Sequence, residues 1–277
     1  MVRKGDITHN AKIRIYPDGT QRILCAANPC FVEPGWEPRG RGNSLSVKRG
    51  RQKVSDCDGQ NQERAARRAR AELRDIALCT GFTQFVTLTL NGEAVDRYDM
   101  GAITRKLNAW LSNQVQRRGL AYVLVPERHR DGAIHFHGLF NDALERVDSG
   151  TVIPPEGGKP RKPRSKRQRE AWLAAGGRVV WNLPGWTLGF TTALDLVGDY
   201  RNAVGYVCKY IGKQGEKPGG RWYYSGGDLA RPEVVLADLD YRDLQSAPGA
   251  YEFEIPEAKN SFILVEYRDF DSFGTVE

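Results

Sequence analysis

The chain has 277 residues, of which 40% are hydrophobic and 10% aromatic, enough to bury the core of one large domain or of a core domain with appendages. No apolar stretch is long enough to span a bilayer and the first residues lack the apolar core of a secretory signal, so we expect a cytoplasmic protein. Five cysteines, odd in number and without a CxxC pair, argue against a disulfide scaffold.

Elements follow one another from residue 11 to residue 225, except between 34 and 59, where little order is expected, and across an interruption at 143–185. In chain order we predict strands at 11–16 and 21–24, a helix at 62–78, a strand at 82–90, a helix at 103–118, strands at 121–127, 134–140 and 187–194, a helix at 200–213 and a strand at 221–225. Turn residues at 130–132 join two of these strands in a hairpin. Hairpin-linked strands predict an α+β fold with a largely antiparallel sheet covered by helices.

The net charge of +7 is unevenly distributed. Residues 226–277 hold 12 acidic and 4 basic side chains, a net of −8, so residues 1–225 carry +15. A basic body with an acidic end is typical of a polyanion-binding protein, although a merely soluble basic protein can show the same distribution.

Residues 143–185 interrupt the pattern of elements. Residues 159–169 contain seven basic side chains and no acid: Lys159, Arg161, Lys162, Arg164, Lys166, Arg167 and Arg169. The prolines in this segment argue against a helix. The segment is either a disordered surface loop or a loop that closes on DNA phosphates.

His135 and His137 are two residues apart in the strand predicted at 134–140. Because side chains alternate along a strand, both imidazoles point to one face and Phe136 to the opposite, buried face. Two neutral imidazoles on one face are a common metal-ligand arrangement. A pair of partly exposed histidines is the alternative.

Glu127 ends the strand that the hairpin turn returns to His135, so cross-strand pairing brings its carboxylate near the imidazoles. Two histidines and one carboxylate leave positions open for water and a phosphate oxygen. Imidazoles alone would allow zinc, whereas a phosphodiester substrate favours Mg²⁺ or Mn²⁺. The alternative for Glu127 is a surface acid paired with Arg128 or Arg130.

The helix predicted at 200–213 divides into two stripes at helical spacing. The apolar stripe consists of Val204, Val207, Cys208 and Ile211. The other consists of Tyr206, Lys209, Tyr210 and Lys213. Phenol is a poor nucleophile at neutral pH, but a nearby ammonium or metal ion favours the phenolate. The alternative is that the tyrosine rings only pack and the lysines are solvated.

Three segments together resemble the rolling-circle replication initiators (Rep proteins) of the HUH endonuclease superfamily, of the type found in bacterial single-stranded DNA phages and plasmids. These are residues 85–90 (FVTLTL), 135–138 (HFHG) and 206–210 (YVCKY), in that order. The resemblance covers about residues 62–225. It makes residues 62–225 the nuclease domain with a basic insertion at about 143–185, and leaves 1–61 and 226–277 as unassigned N- and C-terminal segments.

The resemblance implies a five-stranded, largely antiparallel central sheet, site-specific nicking and rejoining of single-stranded DNA at an origin, and a covalent 5′-phosphotyrosine intermediate. It implies Mg²⁺ or Mn²⁺ on His135 and His137, with Glu127 as third ligand. Tyr206 is then the primary nucleophile and Tyr210 the second. Lys209 is the cation at the phosphate, and Lys213 and the seven basic residues of the insertion contact DNA.

No GxxxxGK[ST] motif occurs, so a host helicase, with a host polymerase, is expected to work beside this chain in the bacterial cytoplasm. Three other functions are open. A conjugative relaxase or single-strand transposase would use the same chemistry on other DNA. An origin-binding protein with an inactive nuclease would need the DNA-binding surfaces alone. A zinc-dependent hydrolase would need neither the basic body nor the insertion.

Overall fold

The computed structural model describes residues 8–32, 57–198, 200–213, 217–255 and 258–267. The stretch expected to show little order lies outside these ranges as far as residue 56, and its last three residues begin a helix. None of the helices in the described ranges has the length and apolar character needed to cross a bilayer.

The elements alternate along the chain much as the sequence predicts. In order they are β1 (Thr8–His9), β2 (Ala11–Ile15), β3 (Gln21–Ala26), β4 (Phe31–Val32), α1 (Cys57–Thr80), β5 (Gln84–Leu90), α2 (Met100–Arg118), β6 (Tyr122–Arg128), β7 (Ile134–Phe140), β8 (Val147–Ile153), α3 (Lys166–Ala174), β9 (Arg178–Asn182), β10 (Gly189–Asp195), α4 (Tyr200–Cys208), β11 (Tyr224–Gly226), β12 (Glu233–Ala237), α5 (Tyr241–Gln245), β13 (Tyr251–Ile255) and β14 (Asn260–Tyr267). A short 3₁₀ turn at Pro218–Gly220 precedes β11.

The chain divides into two compact units, Val54–Ala230 and Met1–Lys53 with Arg231–Glu277. The larger unit contains a sheet in the order β11-β6-β7-β5-β10-β9-β8, with every neighbouring pair antiparallel. The predicted α+β class is confirmed. The sheet has seven strands rather than the five expected, because the insertion adds β9 and β8 beyond β10.

The insertion is more ordered than the sequence indicates, and the expectation that its basic segment contains no helix is wrong. Pro160 and Pro163 lie in the connection after β8, where they leave α3 undisturbed. The helix begins just beyond the second proline, and the Ser165 hydroxyl caps it by accepting a hydrogen bond from the Gln168 N–H at 3.1 Å.

Two apolar clusters cover the two faces of the larger sheet. One packs α2 against the even-numbered residues of β7, including Phe136 and Phe140. The other packs α1 and α4 against the opposite face, where Leu139 is buried. Since His135 and His137 have the same parity as Leu139, the sheet turns both imidazoles towards the side on which α4 lies.

Helix α4 ends at Cys208 rather than at Lys213, which corrects the predicted length. Tighter bonds from the N–H groups of Tyr210 and Ile211 to the carbonyls three residues back replace the helical pattern. Gly212, with φ of 73°, then turns the chain in a conformation that favours glycine. Tyr210 and Lys213 therefore sit on irregular turns rather than on the regular stripe expected.

The smaller unit contains a second antiparallel sheet, in the order β12-β2-β3-β14-β13. The two strands predicted at 11–16 and 21–24 are its β2 and β3. One face is covered by α5, whose Leu244 packs among buried side chains from the strands, namely Ala11, Ile23, Cys25, Ile263 and Val265.

Candidate metal and nucleophile site

The register of β7 with its two neighbours places both histidines at the centre of the larger sheet. On one side His135 lies opposite Thr89 and His137 opposite Thr87. On the other side His135 lies opposite Glu127, as the hairpin predicts. Both rings are half-buried. The surrounding sheet can fix their positions while the exposed part of each ring contacts a substrate.

Threonine hydroxyls from β5 hold the two imidazoles. Oγ1 of Thr87 lies 3.1 Å from Nδ1 of His137, and Oγ1 of Thr89 lies 3.3 Å from Nδ1 of His135. With Nδ1 engaged in this way, Nε2 is the atom through which each ring could bind a metal ion. These threonines belong to the motif at 85–90, but the sequence analysis does not predict their contact with the histidines. A Thr-x-Thr alternation beside a His-x-His strand is the signal that would have found it.

Glu127 accepts two hydrogen bonds at the edge of the histidine pair. Nε2 of His137 lies 2.9 Å from Oε2 of the carboxylate, and Nζ of Lys213 donates to Oε1 at 2.7 Å. Glu127 therefore bonds to a histidine and a lysine of the site, and not to the neighbouring arginines considered as its alternative partners.

The pKa values of both imidazoles are shifted below the ordinary histidine value. Burial is the main cause for His137, and the nearby Glu127 carboxylate partly opposes it. Burial also dominates for His135, with a further lowering from the cation that His129 becomes when protonated. The rings of these last two histidines have centroids 5.2 Å apart. Both site histidines are consequently neutral at pH 7, the form that binds metal ions.

The donor set fits a divalent cation in chemistry, since it combines two neutral imidazoles with one carboxylate. Within the described ranges, however, no three His, Cys, Asp or Glu side chains are arranged as a ready metal site. Two of the three expected donors, Glu127 and His137, are hydrogen-bonded directly to each other.

The two tyrosine rings pack beside His137, with Tyr210 stacked on the imidazole and Tyr206 edge-on to Tyr210. The ring of Tyr210 lies parallel to this imidazole, with centroids 4.2 Å apart and planes at 14°. Its hydroxyl donates a 2.7 Å hydrogen bond to the Tyr206 hydroxyl. Phe85 supports the assembly by contacting both the His137 and Tyr206 rings.

The two phenols differ in environment. The pKa of Tyr210 is raised well above its ordinary value by burial, by its hydrogen bond to Tyr206 and by the negative charge of Glu127. Tyr210 is thus held as a neutral hydrogen-bond donor. Tyr206 is 49% exposed and accepts that bond, and it is the more exposed tyrosine of the pair.

Lys213 and Lys209, the two lysines predicted to contact DNA phosphates, differ in their contacts. Lys213 contacts the site through Glu127, and its Nζ lies 5.3 Å from the centroid of the Tyr210 ring. Lys209 is exposed, and its side chain makes no hydrogen bond or ion pair with any residue that the structure describes. The first belongs to the histidine cluster, and the second faces solvent beside it.

The basic residues of the insertion also fall into two groups. Arg161, Lys166 and Arg169 form ion pairs with Glu156, Glu170 and Asp148 respectively. The other four are largely exposed and have no ion pair within the described part of the chain: Lys159, Lys162, Arg164 and Arg167. The second group is the one whose charge remains available to an anionic partner.

Fold and site together define an α+β protein whose sheet presents two histidines and a carboxylate on one face, with two tyrosines from α4 and the turns after it packed beside them. Residues 83–215, just under half of the chain, match the family of the replication-associated protein ORF2. The matched region runs from β5 to the turns after α4 and so contains each of these site residues. The match supports a replication initiator. No curated protein and no solved structure gives a significant match.

Proposed function

We propose that this chain initiates rolling-circle replication by metal-dependent nicking and rejoining of single-stranded DNA at an origin, as an HUH endonuclease of the phage or plasmid type. The observation that carries the proposal is the pair of hydrogen-bonded tyrosines next to His137 and Glu127: Tyr210 stacks on the imidazole, and Tyr206 packs edge-on against Tyr210. A nucleophile adjoining donors for a divalent cation is what phosphodiester transfer requires. The family match favours replication over conjugation or transposition.

Tyr206 is the first nucleophile in this proposal. The hydrogen bond that Tyr210 donates would hold the Tyr206 oxygen in position for attack. The Tyr206 oxygen then bonds to phosphorus while its proton leaves to solvent. The bond from phosphorus to the 3′ oxygen breaks, and this oxygen takes up a proton to become a free hydroxyl. The 5′ phosphate remains on the enzyme as a phosphotyrosine ester.

His135, His137 and Glu127 would hold the Mg²⁺ or Mn²⁺ ion. The ion, when bound, neutralises charge that develops on the phosphate oxygens. Glu127 would then bind the ion in place of its hydrogen bond to Nε2 of His137. Thr87 and Thr89 would keep the two rings oriented through Nδ1.

Four further parts complete the proposal. Lys209 and Lys213 contact the phosphates on either side of the scissile bond, and Tyr210 is the nucleophile for the second transfer. The four unpaired basic residues of the insertion, Lys159, Lys162, Arg164 and Arg167, bind the DNA backbone with their neighbours. A host helicase and polymerase act on the opened strand.

The test is formation of a covalent protein–DNA adduct. The chain is incubated with Mn²⁺ and end-labelled single-stranded origin DNA, denatured, and examined for label that migrates with the protein. We expect an adduct with the wild-type chain and none with His135→Ala or His137→Ala. His9→Ala, a histidine of the smaller unit, is the matched control and retains the adduct. Equal adduct in all three variants would remove the histidines from the mechanism. An absence of adduct with the wild-type chain would favour an origin-binding protein without nuclease activity.

A further inference from the structure

The sheet of the smaller unit has a second face with a chemistry of its own. One face packs on α5, and Glu252 on that side accepts a hydrogen bond from Tyr241 of the helix. The alternate residues of each strand point the opposite way. We call this opposite side the basic-aromatic face and define it by Lys12, Arg14, Arg22, Tyr251, Phe253 and Phe262.

Three cations lie next to one another at one end of this face. Arg14 on β2 is directly opposite Arg22 on β3, and Lys12 is two residues from Arg14 on the same side of its strand. Lysine and arginine side chains grouped in this way can each contact a phosphate of a polyanion. Glu266 is opposite Arg22 on the following strand, so the face keeps a positive balance.

The acids of the same sheet lie mostly on its other side. Glu233 is in register with Ile15, and Glu252 with the buried Ile263 of the α5 face. The sheet is therefore polarised, although residues 226–277 are acidic overall. Residues 226–277 supply three of the five strands and are acidic overall. The basic-aromatic face of the sheet is nevertheless positively charged.

Parallel aromatic rings lie at the other end of the face. The rings of Tyr251 and Phe253 have centroids 5.8 Å apart at 25°, and those of Phe253 and Phe262 are 5.6 Å apart at 17°. The series passes from a buried phenylalanine at 6% exposure to a tyrosine at 64% exposure. An exposed ring supported by stacked rings beneath it is a rigid surface on which another flat group can stack.

We propose that the basic-aromatic face binds single-stranded nucleic acid, with the cations on phosphates and Tyr251 against a base. Contacts to phosphates alone would allow a duplex to bind as well. The bases of a duplex are stacked on one another, so an aromatic side chain cannot stack on them. The combination of cations and an exposed ring therefore selects an unpaired strand. This site goes beyond the proposed nicking activity and needs neither metal ion nor tyrosine nucleophile.

The experiment measures binding of a labelled oligothymidylate by fluorescence anisotropy over a range of salt concentrations, without divalent metal, on the full-length chain. Lys12→Gln with Arg22→Gln is expected to weaken binding at low salt by about tenfold. The double variant also lowers the slope of log affinity against log salt by about 1.4, since each phosphate contact on a single strand contributes about 0.7. Tyr251→Ala is expected to weaken binding about fivefold or more with little change of slope, and Tyr251→Phe to retain it.

Arg242→Gln is the matched charge control, because Arg242 is an exposed cation on α5, at the opposite side of the same sheet. It is expected to leave affinity and salt slope near the wild-type values. Equal losses of affinity in Arg242→Gln and in the double variant would show that binding depends on net charge and not on this face. Unchanged affinity in both the double variant and Tyr251→Ala would overturn the proposal and leave the face to a protein partner or to another segment of the chain. Adduct formation, assayed separately with Mn²⁺, reports on the nicking proposal alone.

Discussion

Nζ of Lys213 lies 2.7 Å from Oε1 of Glu127, so the carboxylate expected to bind a metal ion already holds a cation. The ammonium group reaches it from the turns that follow α4, the same segment that carries Tyr210. In the proposed mechanism a metal ion would compete with this ammonium group for the Glu127 carboxylate, and a displaced ammonium group would be free to meet the substrate phosphate. The contact would thus couple the proposed metal site to the segment that carries Tyr210.

Lys213→Met tests the competition. Loss of the ammonium group frees Glu127 and removes a nearby positive charge, so we expect Mn²⁺ affinity to rise several-fold, on the order of tenfold. Adduct formation at saturating Mn²⁺ is expected to fall, because a phosphate contact is lost. Calorimetric titration measures the first quantity and a single-turnover assay the second. Lys217→Met, a lysine just after the turns, is the control; weaker Mn²⁺ binding in Lys213→Met would contradict the competition.

The difference between the two phenols predicts the order in which they act. Tyr206→Phe is expected to abolish the first adduct, because Tyr206 is the more exposed tyrosine and the hydrogen-bond acceptor of the pair. Tyr210→Phe is expected to keep the adduct at a rate lower by about tenfold, because it removes one hydrogen bond worth roughly 1–1.5 kcal/mol to the attacking oxygen. Peptide mapping of the adduct identifies the modified tyrosine. Label found on Tyr210 in the wild-type chain during the first turnover would reverse the assignment.

Thr87 supplies a prediction about ligand orientation. Thr87→Val keeps the shape of the side chain but removes the hydroxyl that lies 3.1 Å from Nδ1 of His137. Mn²⁺ affinity is expected to fall by about 10–100-fold, the usual effect of losing a partner that orients a metal ligand. Thr87→Ser keeps the hydroxyl and is expected to stay within a few-fold of wild type. The measurement is electron paramagnetic resonance of free Mn²⁺, and equal affinities of the valine and serine variants would rule out the role.

The sequence predicts best what depends on neighbouring residues. The alternation in β7 and the turn before it were enough to place Glu127 opposite His135. The contact of Thr87 with His137 escaped prediction because it depends on β5 pairing with β7, which lie some 50 residues apart. The bond between Lys213 and Glu127 escaped because α4 ends early in irregular turns.

The strands that the insertion adds, β8 and β9, were not predicted for a different reason. Most of β8 is polar or exposed, with burial only at its end around Val152 and Ile153, so it lacks the apolar alternation by which strands are recognised. Its pairing with β9 also contains an irregularity between Asp148 and Val152. Such an edge hairpin owes its position to the sheet that it extends rather than to its own composition.

Gly138 is predicted to be required by the sheet. A Cβ atom built on it would lie 1.9 Å from the carbonyl oxygen of Val123 and 2.9 Å from Cα of Leu124, both on β6. Because these are backbone atoms in a central strand, Gly138→Ala is expected to destabilise the larger unit by about 3 kcal/mol. Gly205→Ala is the control: a Cβ there meets nothing within 4 Å in α4, so helix propensity predicts a gain of up to about 1 kcal/mol. Denaturant unfolding measures both, and equal stabilities would contradict the prediction.

Tyr200 gives the larger unit a predicted sensitivity to alkaline pH. Its hydroxyl donates to the Ala77 carbonyl at 2.6 Å and accepts from the Phe82 N–H at 3.1 Å, which joins the start of α4 to α1 and to the residues before β5. Burial raises the pKa of this phenol from 10.0 to about 12, although the Phe82 N–H opposes the shift. Above the ordinary pKa the unfolded chain loses the proton while the folded one keeps it, so stability falls as pH rises between these values.

Tyr200→Phe isolates this contribution. Near pH 9 the variant is expected to be less stable than wild type by about 1–2 kcal/mol, because the Ala77 carbonyl and Phe82 N–H lose their partner. Between about pH 9 and pH 11 the wild-type chain loses about 1 kcal/mol through Tyr200 that the variant cannot lose, so the gap narrows. Buried thiols such as Cys208 also titrate in this range but do so in both proteins, and their effects cancel in the difference. Urea unfolding at each pH measures the gap, and a gap that stays constant would show that Tyr200 ionises equally easily in the folded and unfolded states.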